Sequence, residues 1–210
     1  MTETVKHEAV VSDSALRPIA MDGLFDGRGY PSSHSDIVAL MVFQHQAHMM
    51  NLITRLGWEA RMAAYPHTEK TGENAENAEK RFSGPLKDTV IELVDYLLFV
   101  DEQPLTAAVK GSSGFRERFV AEGPKDHRGR SLRQLDLNQR LMRYPCSYMV
   151  YSAAFLALPA AARTAVYVRM WDILSGRDST PKYARLSESD RRDVVDILRE
   201  TLHDLPTDFR

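Results

Sequence analysis

Cysteine is nearly missing from this chain: Cys146 stands alone among 210 residues. One thiol excludes an internal disulfide and any zinc or iron–sulfur site made from cysteines of these residues alone. With no CxxCH string, covalent c-type haem attachment within them is excluded too. An excess of charge of one sign is also missing. Lys and Arg (27) nearly balance Asp and Glu (29), for a formal net charge of -2 and a pI near 6.4. That excludes the basic footprint of a general nucleic-acid binder. The longest apolar stretch, Tyr144 to Pro159, carries Pro145 near its start and falls short of the ~20 residues a membrane span needs. The opening MTETVKHEAVV has no basic start followed by an apolar run, so no signal peptide is expected. No sustained alternation of apolar and polar residues marks a strand, and no repeat is visible.

What is present is helical patterning, with enough apolar residues (43%) for one core. Residues 1–34 have no sustained period and include Met21–Tyr30 with three glycines; they read as an extended entry segment, packed through Leu24, Phe25 and Tyr30. Residues 35–210 read as one helical domain. Ser35 is the expected N-cap, with Asp36 in the first turn, of a helix running to Tyr65 and stopped by Pro66. A second helix is expected from Ala75 to Asp101, broken near Gly84-Pro85, with Asp88, Glu92, Asp95 and Glu102 opposite its apolar face. Further helices are expected at Gly114–Ala121, Ser131–Arg143, Ser147–Ala157, Pro159–Leu174 and Ser187–His203. The spacing predicts an all-α fold, an irregular bundle of six or seven helices around the first, apolar one.

That first helix is apolar nearly all the way round but carries one polar stripe: His45, His48, Arg55 and Glu59. At about 100° per residue these four share roughly a quarter-turn with Met41 and Leu52. Ionisable groups in a core cost free energy unless paired or bound. His45 and His48, at i and i+3, can point at one metal or one haem edge, with Met41 and Met49 within a turn and Glu92 or Asp95 supplying a carboxylate. The pattern differs from Glu-x-x-His di-iron pairs and from HExxH. The plain alternative is a buried, hydrogen-bonded network with Arg55 and Glu59 as an i, i+4 pair. Met41, Met49, Met50 and Met62 read first as packing residues, with soft ligands as the alternative. Cys146, among aromatic neighbours, reads as an inert buried thiol.

A second candidate is the stretch from Lys110 to Arg143, with nine Lys or Arg against four Asp or Glu. Gly111-Ser112-Ser113-Gly114 ahead of a short helix can aim backbone N–H groups at an anion, with Arg116, Arg118, Arg128 and Arg130 to clamp it; the plain alternative is a solvated charged loop. It is neither a Walker loop nor a dinucleotide loop.

From Ser35-Asp36-Ile37-Val38-Ala39-Leu40 through His45-Gln46 to Asn51-Leu52-Ile53-Thr54-Arg55, the chain resembles an uncharacterised family of bacterial secreted, cytochrome-type proteins. The resemblance returns at Gly123-Pro124, Gly129–Leu137 and Arg143-Tyr144-Pro145-Cys146-Ser147-Tyr148. It implies a C-terminal helical module of a periplasmic or secreted redox-type protein, whose partner is an upstream domain or redox protein. On that expectation His45 with Met49 or His48 holds a haem, or His45, His48 and Glu92 hold a transition metal, and Arg116 and Arg130 meet haem propionates or a partner. The alternative is a cofactor-free structural or protein-interaction domain. A third reading, a hydrolase or lyase, takes His45 with Glu92 or Asp95 as acid and base.

Overall fold

A computed structural model of the chain describes residues 35–64 and 85–209, together with Asp26, Arg28 and Gly29. The expected packing of Leu24, Phe25 and Tyr30, the stop at Pro66 and the start of the second helix therefore lie outside the described residues.

Among the described residues the fold is all-α, with six helices: α1 (Ile37–Ala64), α2 (Pro85–Leu97), α3 (Phe115–Ala121), α4 (Ala153–Leu156), α5 (Ala160–Leu174) and α6 (Glu188–Thr201). Short 3₁₀ turns at Tyr148–Tyr151, Pro181–Tyr183 and Thr207–Phe209 join or end them. Among the described residues there is no strand, only one isolated antiparallel bridge between Leu135 and Met142. Capping explains several boundaries. Ser187 accepts the Asp190 N–H at the start of α6, as its sequence position requires, whereas at α1 the capping side chain is Asp36, not Ser35. Asp36 Oδ1 accepts from the backbone of Val38 and Ala39 at 2.9 and 3.2 Å.

α1 packs on α2, α3, α4 and α5, while α2 also packs on α5 and α5 on α6. One continuous core results, with Met49, Leu56, Leu93, Leu97, Val166 and Met170 fully sealed. The helix is not enclosed all round, however. Leu40, Phe43, Met50, Trp58 and Met62 are exposed, because all four partner helices lie on the opposite face. The buried positions Val38, Val42, His45, Met49, Leu52, Ile53, Leu56 and Ala60 follow the 3-4 spacing of a single packed stripe.

Two expected helices are altered. Ser131–Arg143 is not helical: the Asp136 carboxylate accepts backbone N–H groups of Asn138, Gln139 and Arg140, and the Leu137 N–H bonds to the Arg140 carbonyl. A short acidic side chain capturing its own following backbone competes with helix formation, and Leu137 completes the tight turn at φ 63°. The Ser147–Ala157 helix is split, because Ser152 caps α4 by accepting from Phe155 and so breaks the chain direction after Tyr151.

α2 ends in a Schellman closure, with Val100 N–H bonding the Asp95 carbonyl and Phe99 N–H the Tyr96 carbonyl. The left-handed position there is normally glycine; here it is Phe99, at φ 55°. That turn aims an aromatic ring back toward α1.

Candidate functional site

A concavity lies between α1 and the C-terminal half of α2. Its volume is about 780 Å³, inside the range of roughly 300–1,000 Å³ usual for small-molecule sites. Its wall is aromatic. The His45 ring stacks on Tyr96, with centroids 5.1 Å apart, and on Phe99, at 4.6 Å. His48, one turn along α1, tilts against Tyr96 at 4.3 Å. Met41, Ile91, Leu105 and Leu141 add apolar surface.

His45 is buried, and its Nε2 lies 2.7 Å from Ser147 Oγ. Ser147 is fully buried and its Oγ also accepts the Met149 N–H, so the pair fixes the ring and presents no nucleophile. Burial, and secondarily the nearby His48, push the His45 pKa down to about 4. The imidazole is therefore neutral at neutral pH.

The remaining polar lining is mostly acidic: Asp88, Glu92, Asp95, Asp101 and Glu102 face one ammonium, Lys182. Three of the five carboxyls are held by the protein. Glu92 pairs with Arg55. Asp95 accepts from Lys182 at 2.6 Å and from the Tyr183 hydroxyl at 3.0 Å. Glu102 accepts the Leu141 N–H at 2.8 Å, with Arg185 3.5 Å away. Burial pushes the Glu102 carboxyl above the ordinary range despite those partners. Asp88 and Asp101 make no hydrogen bond or ion pair with the described residues.

The sequence-predicted stripe is thus a gradient across the cleft edge, not a buried row. His45 is enclosed, Glu59 is half-buried beside Arg55 at 3.7 Å, and His48 and Arg55 are exposed. His45, His48 and Glu92 do line one cleft. Yet among the described residues no group of three or more His, Cys, Asp or Glu side chains is arranged to hold a metal ion. Met49 is sealed in the core and does not face the cleft. Arg116 lines a separate cavity of about 300 Å³ with Arg143. Arg130 is the hub of an ion-pair cluster, 2.6 Å from Asp126, 2.6 Å from Asp193 and 3.4 Å from Asp196. With the His45 Nε2 engaged by Ser147, the residues expected to hold a haem do not share one void and do not fit the group.

The glycine-rich loop does cradle an anion, but the anion is the protein's own. Asp36 Oδ2 accepts from the backbone of Ser112 and Ser113 and from the Ser113 hydroxyl, at 3.0, 2.8 and 2.7 Å. A Cβ at Gly111 would sit 2.8 Å from Asp36 Oδ1, which is why that position is glycine. Burial raises the Asp36 carboxyl, but the Ser113, Ala39 and Ser112 hydrogen bonds outweigh it and hold the pKa at about 2. Cys146 is buried and burial alone drives its thiol far above the usual range, as its apolar neighbours indicated.

Tyr96, Phe99, Glu102 and Lys182 belong to the site without having been singled out for it. An aromatic pair three residues apart at the end of an acidic helix was the available signal for the first two. No family model matches the chain, and no curated protein or solved structure matches it. The site is read from its own geometry.

Proposed function

We propose that this protein is a helical small-molecule-binding module whose site is the α1–α2 cleft. The observation that carries the reading is a void of about 780 Å³ against a wall of stacked rings, His45 with Tyr96 and Phe99, anchored from behind by Ser147. Apolar, mostly aromatic surface with a few fixed polar groups is the usual composition of a ligand pocket. Binding is favoured over acid–base chemistry because His45, Glu92 and Asp95 are each engaged by a protein partner. This reading needs no metal and no haem.

The test is a fragment screen by thermal shift and equilibrium binding on the full chain and on a Met41→Trp variant, which fills the cleft from its half-exposed rim. Fragments that bind the parent and lose binding in the filled variant, with its melting preserved, support the module. Hits that bind both proteins equally, or no hits at all, overturn it.

A further inference from the structure

We infer that the α1–α2 cleft selects organic cations: molecules with an ammonium head on an apolar, ring-sized body. The inference rests on the cleft being a ligand site and adds its chemical class. Three independent features of the lining point the same way.

The first is the shape and surface of the wall. Tyr96 and Phe99 line the void, both stacked on His45, and His48 tilts against Tyr96. Ring faces carry negative electrostatic potential and attract a cation within about 6 Å of the centroid. The second is the charge distribution. Five carboxyl groups and one ammonium line the void, and the ammonium of Lys182 is already held by Asp95. Asp88, in the first turn of α2, and Asp101, just beyond its end, stand at the cleft with no ion pair among the described residues. They leave negative potential for an incoming head group to neutralise. The third is the neutrality of His45 under ordinary conditions, which removes the positive charge that would otherwise sit in the wall. An anion entering the same space meets carboxylates on several sides and, among the described lining residues, no unpaired Lys or Arg, so the site discriminates by repulsion as well as attraction. The apolar body of the ligand has Met41, Ile91, Leu105 and Leu141 to pack against.

Phenethylamine, 2-phenylethanol and 3-phenylpropanoate share one ring and a similar length but carry positive, zero and negative charge. Each is titrated into the full chain at neutral pH, with calorimetry for affinity and aromatic NMR signals for location. The expected order is phenethylamine bound with shifts at Tyr96 and His48, the alcohol about tenfold weaker, and the acid not bound. Added salt weakens the amine more than the alcohol. The Asp88→Asn/Asp101→Asn double variant, altered only at exposed positions, narrows the amine-to-alcohol ratio. Equal or tighter binding of the alcohol or the acid in the cleft overturns the cation class and leaves the binding module standing. An unchanged ratio in the double variant also overturns it. Silence from all three ligands overturns both.

Discussion

His45 on α1 and Ser147, 102 residues further along the chain, form a buried side-chain pair, Nε2 to Oγ at 2.7 Å. The pair ties α1 to the 3₁₀ turn at Tyr148–Tyr151, and burial, with His48 nearby, keeps the imidazole neutral in the fold. An unfolded histidine titrates near 6.5, the folded one near 4. Between those values the unfolded chain binds the extra proton, so stability is lost as pH falls through that window. The loss attributable to His45 reaches about 3 kcal/mol. Urea unfolding of the parent and of His45→Phe at pH about 7 and about 4.5 reads it. The stability difference between the two proteins should shrink at the lower pH; parallel pH dependences would show that His45 is not the group responsible.

Asp36 ties the start of α1 to the Gly111–Gly114 loop. Its carboxyl titrates at about 2 in the fold against an ordinary 3.8, so its contribution is present above the ordinary value and disappears as pH falls through the folded one. Asp36→Ala removes a helix cap and leaves the Ser112 and Ser113 donors unpartnered. It is expected to lower stability by about 2 kcal/mol at neutral pH, with a smaller deficit near pH 2. Chemical denaturation at the two pH values is the check.

The two arginines expected to act together at a cofactor should behave differently. Arg130 is largely buried against an Asp126 side chain with no exposure, so Arg130→Met strands a buried carboxylate. The expected cost is about 3–5 kcal/mol. Arg116 is exposed at a separate small cavity, and Arg116→Met is expected to stay within about 0.5 kcal/mol. Matched urea titrations of the two variants measure the gap.

Phe99 occupies a left-handed backbone position while its ring stacks on His45. Phe99→Ala and Phe99→Gly both lose the ring, yet only glycine relieves the backbone. The glycine variant should therefore be the more stable by about 1 kcal/mol, an inversion of the usual alanine-over-glycine order. Neither should bind a cleft ligand as the parent does.

Periodicity and caps made most of the fold legible. The 3-4 spacing of Val38, Val42, Met49, Leu52 and Leu56 gives α1, and Ser187 with Asp190 gives the start of α6. Those signals are local and act within one turn. Ser131–Arg143 misled because its apolar residues mimic a helix, while the Asp136 side chain diverts the backbone N–H groups that a helix would use. The exposure of Phe43 and Trp58 was hidden because composition cannot say on which side four partner helices will pack.

At the site, His45 stood out because a histidine among apolar positions is costly unless satisfied. Its partner Ser147 could not be found from α1, since nothing in the spacing links residues 102 apart. The glycine-rich loop turns its backbone N–H groups onto the carboxylate of Asp36, a residue assigned only a helix-end role from the sequence. Phe99 was illegible for a related reason: sequence patterns reserve the left-handed helix end for glycine, so an aromatic there reads as core.

The most direct measurement of the central claim is an NMR titration of the full chain with phenethylamine, following the ring signals of Tyr96, Phe99 and the two α1 histidines. The account predicts saturable shifts confined to these rings and their cleft neighbours, lost in Met41→Trp. Shifts that never saturate, that cluster on another face, or that persist when the cleft is filled would contradict it.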